Sequence, residues 1–161
     1  MALKGSREEH ITTNTYRMNE VAEAGIGVWM STAGSGIALD SASQLATGAG
    51  TPTSGTARFL GMLMTDMVNI DQTKQHINWH KDEVQQGNPV RIMRDGWAVT
   101  NRVYPGVTPT AGQTAYVYHS GFFTNVNNSD ENTEVGFFET IKDEDGYAAI
   151  YVKVPQKSNL T

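Results

Sequence analysis

Two histidines, His76 and His80, are the residues whose spacing comes nearest to a catalytic motif. On a helix, histidines four positions apart lie on one face and can share a metal ion. The zinc-protease motif also needs a glutamate directly after the first histidine as general base, and Ile77 occupies that position. Asp82 and Glu83 follow, but the sequence identifies no third ligand. We therefore predict surface histidines in a polar turn, with no metal site.

The segment 50–56 has the glycine spacing of a phosphate-binding P-loop. That loop needs a lysine after its second glycine to reach the β- and γ-phosphates. Thr56 stands there instead, and Pro52 removes one backbone N–H donor from the would-be cradle. The segment therefore predicts no nucleotide binding.

Other catalytic chemistry has equally little support. The serines near glycines form no G-x-S-x-G motif, and the absence of cysteine excludes disulfides, thiolate zinc sites and cysteine nucleophiles. The acidic segment 143–146 lacks the alternating ligands of a calcium loop, so a hairpin turn explains it more simply, with a low-specificity Ca²⁺ contact left open. Carboxylates that pair only in space are also left open. We predict that the protein is not an enzyme and holds no cofactor.

The charge is unevenly distributed along the 161 residues. The net charge is −5, and residues 130–145 contain seven acids and one base, whereas the rest holds ten acids and eleven bases. No basic stripe is present, so we expect no nucleic-acid partner. No apolar run of about 18 residues occurs, so we expect no membrane span. Residues 1–9 contain no apolar stretch of a secretion signal.

The elements begin with a predicted N-terminal arm over residues 1–23, which is polar and shows no sustained apolar period. It reads either as a frayed terminus or as a segment that orders on a partner, for example by adding a strand to a sheet edge. We expect its deletion to leave the fold intact and to weaken partner binding. A β-rich domain is predicted over 24–155, and a polar tail over 156–161.

Strand patterns start at residue 25. Residues 25–32 predict a strand, and 40–57 are small and polar, which predicts a long flexible loop. Residues 58–71 form the strongest core segment, with Leu60, Met62 and Met64 on one face and Phe59 and Leu63 on the other. A strand buried on both faces fits this pattern, with a helix as the rival. Residues 72–83 read as a loop or a short helix.

Two hairpins are predicted in the C-terminal half. The first spans 90–103 around Asp95-Gly96, a dipeptide that accepts the positive φ of a type I′ turn. The second joins 135–142 to 147–154 through 143–146, and its last strand alternates over eight residues. Together the segments predict an all-β fold, a small β-barrel, β-tulip-like or sandwich domain with an extended N-terminal arm and long loops.

The two halves of the chain share an order of elements. In each half an Ala-Gly pair precedes a strand, a glycine turn, a second strand, a loop and a strand that contains a glycine, at Gly61 and at Gly136. The spacings differ between the halves, so coincidence among the 16 glycines is the alternative interpretation.

The C-terminal half, with TPTAGQTAYVYHSGFFTN, TEVGFFET and DEDGYAAIYVKVP, resembles the β-rich head decoration (cement) proteins of tailed bacteriophages. The stretch 59–101 is similar to capsid-associated proteins of podophages and cyanophages. The resemblance covers residues 24–155. Relative to the shorter lambda-type members, 40–57 and 72–89 would be insertions.

The resemblance implies a structural virion protein, made in the host cytoplasm, on the outer surface of the capsid. There it would clamp adjacent major capsid protein subunits and stabilise the mature head. Its partners would be the major capsid protein and further copies of itself, as a homotrimer or, alternatively, a dimer. A receptor- or glycan-binding β module of a head fibre or spike is the second interpretation, and an enzyme whose site is hidden in the sequence is the third.

Aromatic and aliphatic side chains are the expected anchors of such a clamp. For Trp29 and Trp97, which lie within predicted strands, ordinary core packing is favoured. The predicted partner-binding residues are Ile11, Tyr16, Met18, Trp79, Phe122 and Phe123.

Overall fold

The computed structural model describes residues 3–18, 22–31, 45–47, 58–65, 83–84, 89–128 and 132–154. These residues contain no α-helix, and one short 3₁₀ turn covers His119–Gly121. The all-β prediction is therefore confirmed. The strands are β1 Leu3–Met18, β2 Ala22–Glu23, β3 Gly27–Ser31, β4 Leu45–Thr47, β5 Phe59–Leu63, β6 Glu83–Val84, β7 Pro89–Thr100, β8 Thr114–Val117, β9 Phe123–Thr124, β10 Thr133–Phe138 and β11 Ala148–Lys153.

One large sheet organises the fold. Its strand order is β1-β4-β3-β5-β7-β11-β10-β8-β9, and β1 also pairs with β7. This second pairing of β1 bends the sheet into a nearly closed barrel, which confirms the barrel-like prediction. The pairs are antiparallel except for β1 and β4, which run parallel. The remaining strands, β2 and β6, form a separate antiparallel pair.

The N-terminal segment is part of this sheet. β1 lies antiparallel to β7 from Leu3 opposite Thr100 to Arg17 opposite Pro89, with register shifts along the way. Leu3 and Met18, at its two ends, are fully buried. β1 thus places residues 3–18 of the predicted arm in the large sheet. Sequence periodicity gave no sign of this because backbone hydrogen bonds hold β1 in place and apolar anchors occur only at its ends.

The first predicted hairpin is wrong. β7 runs without a turn through Asp95 and Gly96. Gly96 has a φ of +145°, and a Cβ there would collide with the backbone carbonyl oxygen of Glu8 on β1. The glycine is therefore needed for a close approach of two strands and not for a reversal of the chain. The second hairpin is confirmed, since β10 and β11 pair through a turn in which the Asp143 N–H donates to the Tyr147 carbonyl at 2.8 Å.

The predicted core strand is confirmed over β5, whose five residues are all buried. Its predicted faces are wrong, because a β-bulge interrupts the alternation. Val28 pairs with Gly61 and Trp29 pairs with Phe59, so Leu60 is an extra residue on β5. Beyond the bulge the side chains change faces. Phe59, Met62 and Met64 pack in one core cluster, and Leu60 and Leu63 pack in another.

The predicted loop at 40–57 contains the short strand β4, which pairs with both β3 and β1. The loop prediction is therefore wrong at residues 45–47, where pairing on both edges supplies the order that composition did not indicate. The remainder of that loop lies outside the described residues, as do residues 66–82.

Two apolar clusters fill the interior. The first lies between the barrel strands and β8–β11 and includes Trp29, Phe123 and Phe138, all fully buried. Trp29 contacts the Phe59 ring edge-on, with centroids 5.7 Å apart. The second gathers side chains of β1, β3, β4, β5 and β7, among them Met18. The core interpretation of Trp29 is thus confirmed, and both clusters draw most of their side chains from the large sheet.

Candidate interaction surface

A row of aromatic side chains crosses three strands on the solvent-facing side of the sheet. Phe137 on β10 pairs with Tyr151 on β11, and Tyr151 pairs with Trp97 on β7. Residues directly opposite each other point to the same face. The Phe137 and Tyr151 rings stack at 5.3 Å between centroids. Phe137 is 41% exposed, and the other two are half-buried. We call these three residues the outer aromatic row.

Acidic side chains flank this row and fix its rings. The Tyr151 hydroxyl donates to Oδ1 of Asp95 at 2.6 Å. This hydrogen bond raises the pKa of Tyr151, because loss of the proton would place a phenolate beside a carboxylate. The Trp97 indole Nε1–H donates to Oε2 of Glu8, 3.2 Å away on β1. The polar ends of both aromatic side chains are therefore satisfied, while their apolar surfaces stay accessible.

Ile11 extends the apolar surface onto β1. It lies opposite Asp95 and is 54% exposed, an unusual position for an isoleucine in a strand. On the other side of Asp95 lies Lys153 of β11. We call the outer aromatic row together with Ile11 the outer patch. It has an apolar centre with charged groups of both signs around it.

The other predicted contact residues have different environments. Met18 and Phe123 are fully buried, so in this chain they pack the core and offer no surface. Tyr16 is partly buried against the second core cluster. Phe122 is half-buried, and the Arg102 guanidinium lies 5.9 Å from its ring centroid. The structure thus brings Ile11 alone of these into the outer patch, and Trp79 lies outside the described residues.

Phe137 and Tyr151 were missed as surface residues, although the sequence carried a signal for them. They lie on the two strands of the confirmed second hairpin, and Tyr151 alternates with the buried Ile150 and Val152. Phe137 and Phe138 are adjacent, so one of the two had to face outward.

A second aromatic cluster surrounds an open groove of about 350 Å³. Tyr104 is 40% exposed, and its ring meets that of Tyr118 at 5.2 Å and 88°. Val126, Asn128 and Asn132 line the groove beside these rings. The groove therefore combines aromatic and aliphatic surface with side-chain amides.

Within the described part of the chain, no three histidines or acids come close enough together to hold a metal ion. His76 and His80 lie outside that part. The described residues also include no helix of the length and hydrophobicity needed to cross a membrane.

Residues 4–153 match the family described as structural cement protein (E217 gp24/Pam3 gp6). The chain belongs to this family. No curated protein matches it. Membership confirms the resemblance to phage head cement proteins and points to a non-enzymatic, structural role in stabilising a phage capsid. It also implies that this cement protein is a component of the virion and associates with the capsid.

Proposed function

We propose that this cement protein binds the outer surface of the phage head and clamps adjacent major capsid protein subunits. The observation that carries the proposal is the outer patch. Protein interfaces concentrate their binding energy in a few aromatic and aliphatic anchors, which a polar rim shields from water. Phe137 and Ile11 are exposed anchors of this kind, and Glu8, Asp95 and Lys153 supply the rim.

The acidic character of the chain supports the outer surface over the interior. Packaged DNA repels a protein with a net charge of −5. A trimer at local three-fold positions, or a dimer, follows from the family resemblance and belongs to the same proposal. Light scattering after size chromatography tests this part: a stable trimer or dimer supports it, and a monomer at all concentrations counts against it.

Binding to expanded heads that lack cement protein tests the main proposal. We expect the chain to co-sediment with such heads saturably. Phe137→Asp places a charge at the centre of the outer patch and should weaken binding about tenfold or more, as loss of a hot-spot residue does. Ile11→Asp should act in the same direction from β1.

The matched control is Val126→Asp, which introduces the same charge at a position 56% exposed and outside the outer patch. All three variants alter exposed side chains. The lost Phe137–Tyr151 stack and the aspartate opposite Asp95 in Ile11→Asp each cost about 1 kcal/mol at most, so the variants should stay folded at the temperature of the assay. If Phe137→Asp and Val126→Asp bind heads equally well, the outer patch is not the docking surface. If the unaltered chain fails to bind expanded heads, the proposed function is wrong.

Tyr16, Phe122 and Trp79 stay proposed contact residues. The partly buried side chains of Tyr16 and Phe122 leave some surface for a partner. Alanine variants of each, measured in the same co-sedimentation assay, assign or remove their roles one at a time.

A further inference from the structure

We propose that the outer patch binds an arginine side chain of the major capsid protein, which lies against the outer aromatic row with its N–H groups toward the carboxylates of Glu8 and Asp95. This role rests on the proposed function and deepens it, because it names the chemistry of the group that the outer patch receives. Three features support it: the carboxylates around the row, the hydrogen bonds that fix two of them, and two places where the chain already holds a cation of its own in the same surroundings.

Three carboxylates surround the Tyr151 hydroxyl in the middle of the outer aromatic row. Asp95 accepts a hydrogen bond from it at 2.6 Å, Glu8 lies on β1, and Glu139 directly follows β10. The hydrogen bond to Asp95 raises the pKa of Tyr151, and the negative charges of Asp95, Glu139 and Glu8 raise it further. The side chains of Glu8 and Glu139 are exposed, so their charges are accessible to a partner.

Two of these carboxylates are held in place by the rings that they flank. The Trp97 Nε1–H donates to Oε2 of Glu8 at 3.2 Å, and the Tyr151 hydroxyl donates to Oδ1 of Asp95. Each of these hydrogen bonds occupies one acceptor position of a carboxylate that has about four. Because both groups are fixed before a partner arrives, a cation that binds between them has few side chains of this chain to order.

Lys4 shows how the same face of the chain holds a cation. Its Nζ lies 4.2 Å from the centroid of the Tyr147 ring and 3.0 Å from Oδ2 of Asp143. The ammonium group therefore contacts a tyrosine ring and a carboxylate together, so that cation–π attraction and a charge-assisted hydrogen bond act on one group. Tyr147 comes four residues before Tyr151 in the same segment of the chain.

Arg102 repeats this combination at a second place. Its guanidinium lies 5.9 Å from the centroid of the Phe122 ring and forms an ion pair with Glu23. The chain thus twice places a cation between an aromatic ring and a carboxylate. The outer aromatic row presents the same two components on a surface that is open to a partner.

The charge of the outer patch favours a cation over an anion. Two basic side chains of the chain share the area: Lys153 lies opposite Asp95, and His10 Nε2 lies 3.4 Å from Oε1 of Glu8. Even with both of them charged, the three carboxylates outnumber them. Arginine suits the site better than lysine, because its flat guanidinium stacks on aromatic rings and its N–H donors can reach two carboxylates at once.

The first test uses the full-length chain and two small probes, N-acetyl-arginine methylamide and its neutral analogue N-acetyl-citrulline methylamide, at constant ionic strength. The Trp97 indole N–H signal in ¹H–¹⁵N NMR reports on the contact with Glu8. We expect the arginine compound to shift this signal saturably, with a Kd of about 10 mM. The citrulline compound carries no charge and should bind about fivefold more weakly or worse.

The double variant Glu8→Gln with Asp95→Asn tests the two carboxylates. It removes two charges but keeps an acceptor oxygen for each ring hydrogen bond, and it should weaken binding of the arginine compound about tenfold or more. The matched control is Glu144→Gln with Asp145→Asn, which removes the same two charges at exposed positions of the 143–146 turn. The control should leave the affinity within about twofold. Unchanged amide signals away from the outer patch show that each variant is folded.

Co-sedimentation with expanded heads links this site to the capsid. The Glu8→Gln, Asp95→Asn variant should bind heads about tenfold more weakly or worse. Its Kd should also depend less on salt concentration than that of the unaltered chain, because two of the screened charges are gone. The control variant should match the unaltered chain in both respects.

The inference is overturned if neither probe shifts the Trp97 signal saturably, if both probes shift it equally, or if the double variant binds heads as tightly as the control. A shift of the same signal when the chain alone is concentrated also overturns it, because the outer patch would then contact a second copy. Failure of the unaltered chain to bind heads contradicts the proposed function, whereas the probe titration decides separately whether the outer patch recognises arginine.

Discussion

Lys4 and Asp143 connect the first strand to the last hairpin through their side chains. The Lys4 Nζ lies 3.0 Å from Oδ2 of Asp143. The Tyr147 backbone N–H donates to the other carboxylate oxygen at 2.7 Å. The hydrogen bond from Lys4, and next to it the one from Tyr147, lowers the pKa of Asp143. The same contact raises the pKa of Lys4.

Replacing Lys4 should therefore change the pKa of Asp143. In Lys4→Met, we expect the pKa of Asp143 to rise toward its usual value of 3.8 but to stay below it, because the Tyr147 N–H still donates. The Asp143 contribution to stability is present above the unfolded-state pKa and is lost as pH falls through the lowered folded-state pKa. Carboxyl ¹³C NMR titration measures this. Lys142→Met is the control: it removes a positive charge next to Asp143 in the sequence and should leave the pKa of Asp143 unchanged.

The aromatic residues show how far residue type alone predicts position. Phe137 and Phe138 are chemically identical neighbours, and one is 41% exposed while the other is fully buried. Composition predicts that both lie inside. The strand period predicts that they face opposite sides, but which one faces outward depends on the bulge at Gly136, where Glu134 pairs with Tyr116 and Gly136 with Ala115. That pairing could not be read from the sequence.

Gly96 is the position in β7 where a side chain should be least tolerated. A Cβ there would meet the Glu8 backbone oxygen at a φ of +145°. Gly96→Ala should therefore lower the free energy of unfolding by about 2–4 kcal/mol. Gly5→Ala is the matched control, since nothing lies within 4 Å of its added Cβ, and it should change stability by less than about 0.5 kcal/mol. Urea denaturation compares them, and equal midpoints would contradict a close approach of β1 and β7.

The role of β1 leads to a revised prediction. From the sequence, deletion of residues 1–23 is expected to leave the fold intact. In the structure the deletion removes β1, which pairs with β7 along its length, together with the fully buried side chains of Leu3 and Met18. Loss of one such side chain alone costs about 2–5 kcal/mol, a large share of a total stability of about 5–15 kcal/mol. We now expect the truncated chain to unfold or aggregate, as seen by circular dichroism and size chromatography.

Ile11→Asp separates the structural role of β1 from its proposed contact role. The side chain is more than half exposed, and the aspartate opposite Asp95 costs about 1 kcal/mol at most, so this variant should stay folded and still bind heads more weakly. A truncated chain that melts at the original temperature would show that β1 is dispensable for folding and would restore the sequence-based expectation.

Element by element, the sequence predicted the strands whose stability comes from apolar burial. β5, β10 and β11 carry dense apolar side chains and were found. β1 was not, because its polar side chains hide a strand held by backbone hydrogen bonds. The shared pattern of the two halves predicted that Gly61 and Gly136 occupy corresponding positions. In the structure each glycine directly follows the extra residue of a β-bulge, which is Leu60 in β5 and Val135 in β10. The bulges, and the change in which side chains face each side of the sheet, can be identified only from the pairing register of the strands.

At the scale of the whole molecule, β7 is the strand that connects the other parts of the sheet. It pairs with β1 along its length, with β5 at Ile92–Met93 and with β11 at Asp95–Thr100. The barrel and the β8–β11 region therefore share a backbone element, with a buried cluster on each side. The proposed clamping of capsid subunits would benefit from this packing, because a close-packed interior deforms little under load. Of the outer patch, the sequence predicted only Ile11 as a contact residue. The three rings of the outer aromatic row come together through strand pairing, which the sequence did not reveal.

Clamping, as distinct from mere attachment, has a thermodynamic signature. A ligand that binds only the assembled, expanded lattice stabilises it by RT ln(1 + [L]/Kd) per site, about 2.7 kcal/mol at a free concentration of one hundred times Kd. The temperature at which expanded heads disrupt should therefore rise with the concentration of added protein, as measured by light scattering or release of packaged DNA. For Phe137→Asp, the same rise in disruption temperature should need a concentration increased by the same factor as its Kd for heads. Val126→Asp should give the same concentration dependence as the unaltered chain. Saturable binding of the unaltered chain with no change in disruption temperature would mean that it attaches to the shell without holding neighbouring subunits together.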